Sequence, residues 1–213
     1  MRVVVVAAGA GTRLRPLTEH FAKPVLPVSG QPVLARLLRE VAAAGPADVT
    51  VVVGHLGAQV QRLLGDGGAF GLRLRYAEQV GQHGSAHAVA AAAPPPPYLV
   101  VGADTVFAPG ELGRFRAAYE ASGAAGALAV WPQPGGVVTL ADGHVRRFGS
   151  GGTHTAAPLW AVGERLAPAV AALEGEPPYE LAAAFQRCID AGERVAGLPV
   201  SPPRDLTWPV AHS

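Results

Sequence analysis

Three stretches of this chain are apolar at nearly every position: RVVVVA (2–7), DVTVVVG (48–54) and YLVVGAD (98–104). A strand with one face in water alternates apolar and polar residues. A strand without that alternation has to be covered on both faces, which is the condition of a parallel sheet with helices on each side. Helical segments lie between these runs. PVLARLLREVAAAG (32–45) has Pro32 where a first-turn proline belongs and Gly45-Pro46 as its stop. GAQVQRLLG (57–65) and SAHAVAAAA (85–93) read as helices, the second ended by four prolines, and another helix falls near 110–121. LRLRYAE (72–78) alternates and reads as a further strand. The alternation predicts an α/β fold with a doubly wound parallel sheet.

The pattern changes in the second half. GALAVWP, GGVVTLADG, HVRRFG and AAPLWAV read as strands joined by short turns, so hairpins are added to the sheet there. Two helices follow, near 163–174 and 179–191, and RVAGLPV reads as the last strand. No repeat and no linker interrupts the 213 residues, so one domain is expected, with halves of about 1–110 and 111–213.

Composition narrows the function classes. Charged residues make up 15% and the net charge is +1, which gives no general reason to bind nucleic acid or membrane. No apolar run approaches the roughly 20 residues a membrane span needs. The single cysteine, Cys188, excludes an internal disulfide and points to a reducing cytoplasm. Asparagine is absent, and Ala, Gly, Pro, Arg and Val dominate. That skew fits a GC-rich coding sequence and predicts a thermophilic source.

The first strand runs into AAGAGTR, and in open α/β sheets ligands sit beyond such strand ends. Gly9 and Gly11 remove side chains there, so backbone N–H groups can face an anion. No Gly-Lys-Ser/Thr follows, and Leu14 stands where a dinucleotide fingerprint has its third glycine, so neither of those motifs fits. What remains is Gly11-Thr12-Arg13 plus Lys23, the only lysine among seventeen basic residues. An arginine fork and a compact ammonium suit phosphate oxygens in different ways. Asp104 ends a buried strand and Asp205 follows the last one; both read as magnesium ligands or as turn residues. His83 and His87 are four apart, but no third zinc ligand has recognisable spacing. Trp131, Trp160 and Trp208 read as packing residues, Trp208 with a second reading as a residue closing the site beside Asp205. Cys188 reads as a core residue.

AAGAGTRLRPLT followed by KPVLPVSGQPVL resembles the signature of sugar-1-phosphate nucleotidylyltransferases. QVGQHGSAHAV (79–89), VVGAD (100–104) and RDLTWP (204–209) resemble that family's base-recognition and two metal-binding segments. The resemblance implies a single-domain Rossmann-like fold with a mostly parallel, mixed sheet. It implies a Mg²⁺-dependent reaction between a nucleoside triphosphate and a sugar 1-phosphate, giving a nucleotide-sugar and pyrophosphate. Carried over by position, Arg13 would hold the leaving pyrophosphate and Lys23 the phosphate under attack. Ala7, Ala8, Gly9, Gly11, Thr12, Gln79, Gly84 and Ser85 would bind the nucleotide. Asp104 and Asp205 would hold the metal, and Gly136, His154 and Thr155 would approach the sugar. Gln79 favours a pyrimidine without excluding guanine.

The chain departs from the family pattern in one place. VRRFGSGGT stands where a Glu-Lys-Pro is usual, and either Arg146 or Arg147 is a substitute or a solvated strand end. This departure keeps two alternatives: a cytidylyltransferase acting on a small phospho-alcohol such as phosphocholine, and a non-catalytic nucleotide-binding regulatory subunit. A monomer or small homo-oligomer is expected.

Overall fold

The structure, a computed structural model, describes residues 1–205. In chain order the strands are β1 (Arg2–Ala7), β2 (Pro27–Val28), β3 (Gln31–Pro32), β4 (Asp48–Val53), β5 (Arg73–Glu78), β6 (Tyr98–Gly102), β7 (Thr105–Val106), β8 (Gly126–Ala141), β9 (His144–Val162), β10 (Val195–Pro199) and β11 (Arg204–Asp205). The helices are α1 (Leu17–His20), α2 (Val33–Ala43), α3 (Gly57–Leu64), α4 (Ser85–Ala92), α5 (Glu111–Ser122), α6 (Ala167–Ala171) and α7 (Leu181–Asp190). Seven strands form one sheet in the order β10-β8-β9-β6-β1-β4-β5. Only β9 runs against the others. The expected α/β, doubly wound, mostly parallel mixed sheet is what the chain forms.

The uninterrupted apolar runs have the expected cause. Val3, Val5 and Ala7 of β1 join Leu34, Leu38 and Val41 of α2 in one core cluster. Val4 and Ala8 join Ala86 and Val89 of α4 and Phe185 and Cys188 of α7 in the other. Leu99 and Val101 of β6 divide from Val100 in the same way. Each strand is therefore sandwiched, and every position along it is selected to be apolar. Phe185 has no exposed surface and meets the Trp160 ring edge-on, with centroids 4.9 Å apart. Truncating it to alanine would cost roughly 3–5 kcal/mol. α2 stops at Gly45, whose φ of +98° takes the left-handed conformation ahead of Pro46.

The second half departs from the reading in detail. Four short strands were expected; two long ones form, 16 and 19 residues, joined at Asp142-Gly143 with positive φ at both. Register shifts occur at several points between Leu128 and Leu140. The prolines and glycines that read as breaks are absorbed as bulges, which curl the ribbon without ending it. RVAGLPV is not the last strand either: β11 pairs antiparallel with β7, Asp205 opposite Thr105. Two residues are too few to leave a periodic signal. Trp208 lies outside the described residues. Among the described residues, no helix is long and apolar enough to cross a membrane.

Candidate active site

The sheet delivers the sequence-predicted residues to one edge. Ala7 is level with Val53, and Val53 with Glu78. Val6 is level with Gly102, and the Ala103 N–H donates to the Val6 carbonyl at 3.0 Å. The residues that follow these strands, Ala8-Gly9, Gly54, Gln79 and Asp104, therefore lie side by side along the C-terminal edge. β9 enters from the opposite direction. With Leu159 opposite Val101 on one side and Thr155 opposite Trp131 on the other, residues 154–156 reach the same edge.

The glycine loop is held open. Gly11 has φ +62°, and a Cβ there would sit 2.9 Å from Thr18 Cγ2 and 3.1 Å from Lys23 Cβ. Only glycine lets the loop lie against these two side chains. The buried Thr18 donates its hydroxyl to the Gly11 carbonyl at 2.9 Å. Among the described residues, the N–H groups of Gly9, Ala10, Gly11 and Thr12 have no protein acceptor. Together with Arg13, Leu14 and Lys23, Gly11 and Thr12 line a small cleft of about 200 Å³. Arg13 is exposed on its rim.

Three side chains that the sequence did not single out position this loop. Gln59 of α3 accepts from the Ala22 N–H at 2.9 Å and donates to the His20 carbonyl at 2.7 Å. His55 Nε2 lies 3.0 Å from the Thr18 carbonyl. Thr18 is the third. Lys23 thus leaves a backbone clamped immediately before it. Its ammonium is bonded to the Asp104 carboxylate. The Lys23 side chain is 11% exposed and that of Asp104 32%. Thr105 Oγ1 approaches the other Asp104 oxygen at 3.4 Å. The β7–β11 ladder brings the Asp205 backbone opposite Thr105, next to Asp104 in the chain. Among the described residues no group of three His, Cys, Asp or Glu side chains converges.

The base segment is engaged internally. Gln79 is buried, and its Nε2 donates to the Gly84 carbonyl at 2.9 Å and lies 3.1 Å from His87 Nδ1. The Ser85 hydroxyl accepts from the Leu181 N–H at 2.9 Å and donates to Glu180. The Ser85 N–H faces Glu180 Oε2 at 3.4 Å. Of the Gly84–Ser85 backbone, the Gly84 N–H is the group without a protein acceptor among the described residues. Gly84 is there by necessity: φ is +98°, and a Cβ would meet the Tyr179 backbone at 2.4 Å.

Residues 2–148 match the model of the nucleotidyl transferase family. The chain belongs to that family. The nucleotidyl transferase resemblance read from the glycine loop is thereby borne out. A glucose-1-phosphate thymidylyltransferase of Streptomyces antibioticus is 47% identical over 89 residues, covering 42% of this chain and 25% of that protein. A CMP-5'-(3-aminopropyl)phosphonate synthase of Streptomyces rubellomurinus is 36% identical over 149 residues, covering 67% of this chain and 23% of that protein. The matched part spans about a quarter of the length of these curated relatives. In fold, a UDP-glucose pyrophosphorylase of Acinetobacter baumanii superposes with a TM-score of 0.82 at 17% identity, covering 97% of this chain and 88% of that one.

In this nucleotidyl transferase the segment expected to approach a sugar is brought together on β8 and β9. Gly136 is pressed against β9: a Cβ would lie 2.2 Å from the His154 carbonyl oxygen. The strand crossing alone accounts for that glycine. Thr155 donates to Gln133 at 2.8 Å, and the Thr153 hydroxyl lies 2.7 Å from His154 Nδ1. Arg146 is exposed and pairs with Asp142 at 3.5 Å, as a solvated strand residue does.

Proposed function

We propose that this chain is a magnesium-dependent sugar-1-phosphate nucleotidylyltransferase. The observation that carries the reading is the Lys23–Asp104 pair beside the glycine-loop cleft. It joins a predicted phosphate ligand to a predicted metal ligand at the edge where the sheet delivers the loop.

The donor set fits magnesium, which takes one or two carboxylates and completes its shell with water and substrate phosphates. Asp104 and Asp205 would hold it, and when bound it would neutralise charge on the triphosphate. Lys23, bonded to Asp104 beside the loop, would hold the phosphate under attack. Arg13 would grip the leaving pyrophosphate with its fork. The free N–H groups of Gly9 to Thr12 would receive further phosphate oxygens.

The sugar phosphate is mostly dianionic near neutral pH, with a second pKa of about 6, and needs no general base. Its oxygen attacks the α-phosphorus as the bond to the bridging oxygen of the β-phosphate breaks. Alignment and charge neutralisation supply the rate. Gln79 and Gly84 would meet the base, and His154 and Thr155 the sugar. The single cysteine supports a reducing cytoplasm as the compartment.

A second reading has its own support. The CMP-phosphonate synthase matches 67% of this chain at 36% identity, and Glu-Lys-Pro is missing where the family contacts the sugar. A cytidylyltransferase acting on a small phospho-alcohol or phosphonate fits both. Pyrophosphate release from each triphosphate with Mg²⁺, tested against a panel of sugar 1-phosphates and of phosphocholine-like compounds, separates the two readings. Release with sugar 1-phosphates supports the first, release with CTP and a phospho-alcohol the second, and release from no pair overturns both.

A further inference from the structure

Glutamine presents a donor and an acceptor, and the direction in which its amide is turned decides what it can read. The amide of Gln79 is turned by its neighbours. A carbonyl can only accept, so the contact at 2.9 Å with the Gly84 oxygen makes the atom facing it Nε2. The second hydrogen of Nε2 is directed at His87 Nδ1, 3.1 Å away. Both amide hydrogens are consumed. His87 Nδ1 is then the accepting nitrogen, and the ring carries its proton on Nε2. Reversing the amide would set its oxygen against the Gly84 carbonyl, which can only accept.

Oε1 is what remains. Among the described residues it has no protein partner. The Gly84 N–H, five residues on, is likewise unengaged. The segment offers one acceptor from a side chain and one donor from the backbone.

We propose that His87 is a specificity-determining positioning residue. Its Nδ1, acting with the Gly84 carbonyl, holds the Gln79 amide so that Oε1 alone faces the base, selecting bases that present a ring N–H. This rests on the nucleotidyltransferase reading above. Uracil and thymine present N3–H, and guanine N1–H. Cytosine held in the same place presents a bare N3, which is repelled by Oε1.

His87→Leu removes the acceptor while keeping the bulk. His87→Asn restores an acceptor, because Asn Oδ1 lies where His Nδ1 does. Calorimetry with Mg²⁺ gives the dissociation constants for UTP, dTTP, GTP and CTP. The wild type is expected to bind CTP at least tenfold more weakly than the best of the other three. In His87→Leu that ratio shrinks at least threefold, chiefly because the favoured triphosphate weakens; in His87→Asn it returns. A merely structural role weakens all four triphosphates together and leaves the ratio fixed, which overturns the proposal. So does a wild type that binds CTP as tightly as the others. Binding of no triphosphate at all overturns the nucleotidyltransferase reading together with it, whereas binding with an unchanged ratio removes only the role of His87.

Discussion

The ammonium of Lys23 is bonded to the carboxylate of Asp104, 81 residues further along the chain. The two come from different parts of the fold: Lys23 from the long connection after β1, Asp104 from the turn after β6. They meet because β1 and β6 are neighbours in parallel register, and both chains leave the sheet at the same edge. A lone lysine in an arginine-rich protein is thereby set against an acid at the edge where the glycine loop leaves the sheet.

The clamp behind Lys23 carries the first prediction. Gln59→Ala removes the bonds to Ala22 and His20. Misplacing a phosphate ligand by even 1 Å is costly, so turnover is expected to fall about 10- to 100-fold. Substrate KM should stay within a few-fold. Gln59→Glu, which keeps the acceptor for the Ala22 N–H, should recover part of the loss. Steady-state pyrophosphate release on folded variants checks this; turnover unchanged in Gln59→Ala removes Gln59 from the positioning of Lys23.

Gly136 gives a prediction of a different kind. Its missing side chain is required by the His154 carbonyl, 2.2 Å from where a Cβ would go. Gly136→Ala has to push β8 away from β9, and a strain of about 1–3 kcal/mol is expected. At this chain length that lowers Tm by roughly 2–4 °C per kcal/mol. Triphosphate affinity should hold while KM for the second substrate rises. A thermal melt paired with kinetics tests both halves; an unchanged Tm contradicts the close crossing of the strands.

Cys188 sits in the core on α7, and burial pushes its thiol pKa above the ordinary value. The neutral thiol is therefore retained at mildly alkaline pH, where an unfolded thiol begins to ionise. The folded state holds its proton longer than the unfolded state, so this group's contribution to stability declines as pH rises past the unfolded pKa. A disulfide reagent at pH 8 should label the native protein slowly and the denatured protein fully, at one equivalent. Rapid native labelling contradicts the placement of α7.

The glycine loop, Lys23 and Asp104 were legible because each follows a strand that is apolar on both faces, and the sheet fixes where such strands end. Gln59 and His55 were not, because a polar residue on a short helix carries no mark of what it faces until the tertiary structure folds α3 beside residues 18–22. His87 was noticed only for its spacing from His83. Its partner proved to be Gln79, on the far side of a loop. The long β8–β9 ribbon read as four strands because bulges use the same glycines and prolines as turns. The β7–β11 pairing, which brings Asp205 level with Thr105, was too short to see.

The most direct test of the central claim is single-turnover pyrophosphate release by Lys23→Ala beside the wild type, with Mg²⁺ and the substrate pair the wild type turns over. Loss of one positioned charge at the reacting phosphate predicts a rate about 10²- to 10³-fold lower. Triphosphate affinity should fall by no more than about 1–3 kcal/mol. A Lys23→Ala protein that releases pyrophosphate at the wild-type rate would contradict the account.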